Sequence, residues 1–257
     1  MRPTLVLFRG IFLKAIILLT RYAFNTVSEL VTIYLFFALI FFGGQAFIGT
    51  AFTDSLEGII VGFFVFTIAV GAYSSVSWDI IREAQWGTLE QLYMSPFGFG
   101  RVTLVKVCVN VLISFLWGGT MLALMLLTTG ETLALDLVTI LPLLVLTLAS
   151  AVGVGFITGG LALLYKRIEN LFAIIQFTFI GLLAAPVDAY PVLRFLPLAL
   201  GGDLLGAAMA RGVRLWELPT GDLLLLTANA VGYVVVGYGI FQYISKKARD
   251  RGVLGHY

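Results

Sequence analysis

Six stretches of this chain carry no charged residue at all, and each is long enough to matter. They run from Leu30 to Thr53, Gly58 to Trp78, Val107 to Gly130, Leu137 to Tyr165, Asn170 to Val187 and Leu223 to Ser245. A helix needs roughly 20 mostly apolar residues to cross a bilayer. Five of the runs reach that length, and Asn170 to Val187 sits at the short end of the accepted range. In the first run, Leu35, Phe36, Phe37, Leu39, Ile40 and their neighbours each favour insertion by about 0.3–0.6 kcal/mol, which outweighs the cost of Gln45. Alternating ten-residue segments, the mark of a membrane barrel, are not visible. The whole chain agrees: 60% of its residues are apolar and 12% charged, against about half and a quarter in soluble proteins. The expected fold class is therefore an all-α integral membrane protein with six transmembrane helices, forming a single domain over 1–257.

Basic residues set the expected orientation. Thirteen of the sixteen lie before the first run, between runs two and three, between four and five, or after the sixth. The alternate loops hold only Arg194, Arg211 and Arg214, and the two short ones carry Asp54, Glu57, Glu131 and Asp136 without a base. The basic side is expected to face the cytoplasm of a cell membrane, with both termini there. Residues 1–22 are apolar from Leu5 to Leu19, yet no small-residue cleavage site follows, so a signal peptide does not fit. Arg2, Arg9, Lys14 and Arg21 gather on one side of a helix, which suits an N-terminal interfacial helix; a tilted or partly inserted segment is the alternative. The stretch 188–222 is apolar from Phe195 to Gly206 and broken by Pro197, Gly201 and Gly202. A pair of short re-entrant helices between the fifth and sixth spans is expected, with a surface-lying amphipathic loop as the alternative.

Much chemistry is missing. The one histidine, His256, and the one cysteine, Cys108, cannot make a metal site or a disulfide. The spans hold no ionisable residue to relay protons. No Gly-Lys pair occurs, so no phosphate-binding loop of the usual kind exists. Catalytic residues are expected to be absent, and ATP and magnesium, if used, belong to another subunit. Gln45, Asn110, Gln176 and Asn229 are large polar residues within the runs. They suit interhelical hydrogen bonds; lining a substrate path is the alternative. Gly58/Gly62 and Ala151/Gly155/Gly159 are small residues at a spacing of four, which permits close helix approach.

The stretch 79–97 carries the most information. Arg82 to Pro96 reads R-E-A-Q-W-G-T-L-E-Q-L-Y-M-S-P. At helical spacing Glu83, Gly87 and Glu90 share one face, and Ile81, Thr88, Leu89 and Leu92 lie on another. Gly87 costs a helix about 1 kcal/mol relative to alanine, which suggests a close neighbour. Pro96 disfavours helix at Ser95. The pattern fits a surface helix or a docking helix for a partner protein.

Glu83, Gly87, Thr88, Leu89, Glu90, Leu92, Ser95 and Pro96 match, in order, the signature E-x-x-x-G-T-L-E-x-L-x-x-S-P of type-2 ABC transporter permeases, and the segment resembles that family's coupling helix. Pro197 with Asp203-Leu204-Leu205 is similar to the family's proline-containing segment before the last span; its usual following basic residue has only Arg211 as a loose counterpart. The resemblance implies a membrane subunit of an ATP-driven exporter, working as two permeases, alike or different, with two ABC ATPase subunits. It assigns Glu83, Gln85, Trp86, Gly87, Thr88, Leu89, Glu90, Ser95 and Pro96 to the ATPase contact. It implies no nucleic-acid partner. An ATP-independent carrier or channel, or an integral membrane lipid-modifying enzyme, would be the alternatives.

Overall fold

The computed structural model describes residues 3–48, 56–86, 88–165 and 168–250, and these are mostly helical, with no strand among them. The helices are α1 (Pro3–Arg21), α2 (Ala23–Ile48), α3 (Leu56–Gln85), α4 (Leu89–Tyr93), α5 (Phe99–Thr129), α6 (Leu137–Leu164), α7 (Glu169–Leu183), α8 (Ala199–Arg211) and α9 (Thr220–Asp250). Short 3-10 turns occupy Pro191–Phe195 and Leu215–Glu217. Five helices, α2, α3, α5, α6 and α9, are long and apolar enough to cross a membrane. The chain is thus a multi-pass membrane protein by the length and composition of its helices. At 15 residues, α7 is about 22 Å long, short of the roughly 30 Å hydrocarbon layer.

Several helices run past the ends of their charge-free stretches. Helix α3 continues through Asp79, Arg82 and Glu83, and α5 begins at Phe99, taking in Arg101 and Lys106. Charge marks where apolar solvent ends, while backbone hydrogen bonding continues until a glycine or proline stops it. Gly98 at φ 75° and Gly130 at φ 72° bound α5, and both angles suit glycine. Helix α6 starts where its charge-free stretch does, because the Asp136 side chain accepts a hydrogen bond from the Val138 backbone N–H and caps it.

Helix α6 is central, packing on α9 and on α3. Both α3 and α6 bury more than half of their most apolar stretch; α2 and α9 bury less than a fifth. Glycine sets the spacing. A Cβ on Gly237 would lie 2.1 Å from the Gly153 carbonyl oxygen, and one on Gly153 would lie 2.3 Å from that of Tyr233. On the side of α6 toward α3, a Cβ on Gly155 would lie 2.6 Å from the Tyr73 carbonyl oxygen, and one on Gly159 would lie 2.8 Å from Val76. The expected close approach therefore holds for Gly155/Gly159. It does not hold for Gly58/Gly62, which face open space.

The segment between α7 and α9 differs from expectation in detail. One α-helix, α8, replaces the expected pair, and Gly201 and Gly202 lie inside it. Their role is packing: a Cβ on Gly201 would meet Thr147 at 2.0 Å. Helix α8 buries Leu200, Leu204, Leu205 and Met209 against α6 and α3. Leu198 precedes it at φ 68°, a strained angle for a side chain of this size. Its N–H donates to Ser150 Oγ at 3.1 Å.

Candidate functional site

Two places gather the residues singled out by sequence: the connection from α3 to α5, and a cavity beside the C-terminal half of α3.

Helix α3 ends at Gln85 and α4 starts at Leu89. One continuous helix therefore does not carry Glu83 to Glu90, and the shared face expected for Glu83, Gly87 and Glu90 does not form that way. Gly87 lies outside the described residues, as do the side chains of Gln85, Leu89 and Glu90. The chain turns by hydrogen bonds from Trp86 N–H to the Arg82 carbonyl and from Thr88 N–H to the Glu83 carbonyl, both 2.9 Å.

Glu83 is buried. Its carboxylate accepts from Lys106 Nζ of α5 at 2.6 Å and from the Thr88 hydroxyl, and Lys14 of α1 approaches to 4.0 Å. Three helices therefore meet on one carboxylate. Lys106 and Glu83 are both shielded, with side chains 15% and 10% exposed, so their attraction is little screened by salt. The far end of the connection is held too. Tyr93 shares a hydrogen bond with Ser245 of α9 at 2.6 Å and stacks on Phe99 at 4.0 Å between ring centres. Ser95 accepts from the Gly98 N–H through its carbonyl at 2.9 Å.

Between these anchors the surface is open. Trp86 is 60% exposed with Lys14 5.9 Å from its ring centre, Met94 is 76% exposed, and Gln91 and Pro96 are also exposed. Thr88 and Ser95 are half-buried. The sequence pattern singled out Trp86 and Pro96; it gave no reason to single out Met94. Nor does any spacing reveal that Lys106, 23 positions on, is the partner of Glu83.

The four polar residues of the runs divide. Gln45 is exposed at the end of α2. Asn229 donates to the Arg194 carbonyl at 2.7 Å and ties α9 to the 3-10 turn. Asn110 and Gln176 both line one cavity of about 470 Å³ among α2, α3, α5 and α7, a size typical of small-molecule sites. Asn110 donates to Asp79 at 3.0 Å, and Asp79 holds Arg82 at 2.7 Å. Ser74, Trp78, Trp117 and Gln176 line the same space and have no side-chain hydrogen bond among the described residues.

At the other end of the bundle, Arg194 bridges Asp188 at 2.8 Å and Asp222 at 2.9 Å. Burial, then the neighbouring Asp188 carboxylate, push the Asp203 carboxyl above the usual carboxylate range, with Arg211 and Arg194 opposing. Among the described residues no three His, Cys, Asp or Glu side chains group so as to hold a metal.

No protein-family model matches the chain, and comparison with curated proteins gives no match.

Proposed function

We propose that this chain is the membrane-spanning permease subunit of an ATP-driven exporter of the ABC type, coupled to a separate ATPase subunit. The observation that carries the reading is the connection from α3 to α5: a family-like signature whose ends are anchored on three helices while Trp86, Met94 and Pro96 stand out from the surface. A surface that transmits force needs such anchoring. Glu83 then acts as the internal anchor of the connection, and the exposed apolar side chains make the ATPase contact.

The architecture accompanying this reading has six spans, with α7 as a short fifth and α8 as a re-entrant helix in the outer layer. Helix α1 lies in the cytoplasmic interface, and both termini are cytoplasmic. Two copies, or this chain and a similar one, assemble with two ATPases, which hold the ATP and magnesium. The clustering of Arg82, Lys106, Lys246 and Lys14 near one end of the bundle supports that orientation.

Orientation is tested by single-cysteine labelling after replacing the exposed Cys108 with alanine. A cysteine at Glu131 should react with an impermeant reagent added outside, and one at Gln91 should not; the reverse inverts the topology. Coupling is tested by purifying the tagged chain from its own membranes. An ATPase subunit should accompany it, and the isolated chain should not hydrolyse ATP.

A further inference from the structure

The cavity of about 470 Å³ beside α3 is not an ordinary packing defect. Genuinely empty cavities in proteins are apolar. This one presents Ser74, Gln176 and the indoles of Trp78 and Trp117, whose polar groups have no side-chain partner among the described residues. Polar groups facing hydrocarbon are costly, so they gather where water or a ligand can meet them. Ile33, Val70 and Ile113 supply apolar wall between them.

Charge decides what kind of ligand fits. Arg82 is the one basic residue in the lining among the described residues, and Asp79 cancels it at 2.7 Å. Asn110 occupies the second oxygen of that aspartate at 3.0 Å. Glu29, from α2, lines the same cavity and makes no ion pair among the described residues. Asp79 lies just outside the lining and neutralises Arg82, so the Glu29 carboxylate is the charge left uncompensated beside the two indoles. Indole faces and a carboxylate together attract an organic cation, through the ring quadrupole and through direct Coulomb attraction. A bare metal ion is a poor match, because a single free carboxylate cannot complete its coordination.

We propose that this cavity binds an amphipathic organic cation, with its charge toward Glu29 and its apolar body against Trp78 and Trp117. Calling that ligand a cargo rests on the exporter reading; binding itself does not.

The test uses two probes of matched shape and opposite charge, tetraphenylphosphonium and tetraphenylborate. The whole chain is placed in nanodiscs, equilibrium binding of each radiolabelled ion is measured, and uptake by empty nanodiscs is subtracted. The cation should bind saturably at one site per chain, and the anion should not. Glu29→Gln should weaken cation binding at least about fivefold, the scale of one partly screened ion pair. The double variant Trp78→Ala/Trp117→Ala should weaken it further. Glu29 is exposed on a sparsely packed helix, so its variant should remain monodisperse by size exclusion. Equal binding of the two ions, no saturable binding, or an unchanged Glu29→Gln would overturn the proposal. Cation binding by a chain that never associates with an ATPase keeps this site and removes the exporter reading. An ATP-hydrolysing complex that ignores the cation does the opposite.

Discussion

Helix α3 has two sides that solve the same problem differently. Toward α6 it presents Tyr73, Val76, Ser77 and Ile80, and glycines at 155 and 159 let the two backbones close. Ser77 and Thr158 share a hydrogen bond at 2.9 Å across that seam. The Tyr73 hydroxyl, buried beside Thr158, is the exception and makes no hydrogen bond of standard geometry. Toward α2 and α7 the same helix presents Ser74, Ser75 and Trp78 to a cavity. Residues one position apart thus end in a close-packed seam or a polar space. Composition does not separate the two sides, since both contain hydroxyls and aromatics. The partner helix separates them: α6 brings glycine, and α2 brings Leu30, Ile33 and Glu29.

This contrast can be broken by substitution. The largest effect is expected from Gly153→Leu on the α9 side of α6. Its Cβ has a backbone carbonyl 2.3 Å away, and a backbone cannot step aside as a rotamer can. Overpacking that side chains can relieve costs about 1–3 kcal/mol; a backbone obstacle forces the two helices apart and costs more than a broken ion pair, so loss of a folded, monodisperse protein is expected by size exclusion and thermal unfolding. Gly155→Leu should behave similarly at the α3 seam.

Glu83→Ala comes next. It leaves the shielded ammonium of Lys106 without its carboxylate, and breaking a buried pair costs about 3–5 kcal/mol at most, less where water reaches it. Lowered thermal stability is expected, with partial recovery in the double variant Glu83→Ala/Lys106→Met. A double variant no better than the single would show that the pair is not the anchor.

A smaller cost attaches to Thr158→Val, about 1 kcal/mol for one interhelical hydrogen bond, read in the same unfolding assay. Gly62→Leu should be nearly neutral, because a Cβ there meets nothing within 4 Å. A strongly destabilised Gly62→Leu in the purified chain would mean that the open side of α3 is covered in the assembled protein.

Sequence reached the fold unevenly, and particular elements show why. Helix α6 was legible at its start because Asp136 is at once the end of the charge-free stretch and the cap. The charge-free stretches understate helices α3 and α5, because charges end the apolar stretch without ending the helix. Gly201 and Gly202 of α8 look like breaks in the sequence and are contacts, a distinction that depends on Thr147 and Leu183. In the candidate site, Trp86 and Pro96 stood out from their motif. Glu83 also stood out, but as part of an outward face; its inward turn depends on Lys106, which only folding brings near. Asn110 and Gln176 were noticed as polar residues in apolar runs, while their meeting on one cavity follows from how α3, α5 and α7 pack.

The central proposal, an ATPase seated on the connection between α3 and α5, has a direct measurement. The tagged chain and its double variant Trp86→Glu/Met94→Asp are purified from native membranes, and the ATPase recovered per chain is determined by mass measurement together with ATP turnover. Both substituted side chains are exposed, so the variant should fold and insert normally. The account expects two chains with two ATPases and measurable turnover for the unaltered protein, and loss of both for the variant. Full recovery of ATPase and turnover in the variant, or a native chain that purifies with no ATPase at all, would contradict it.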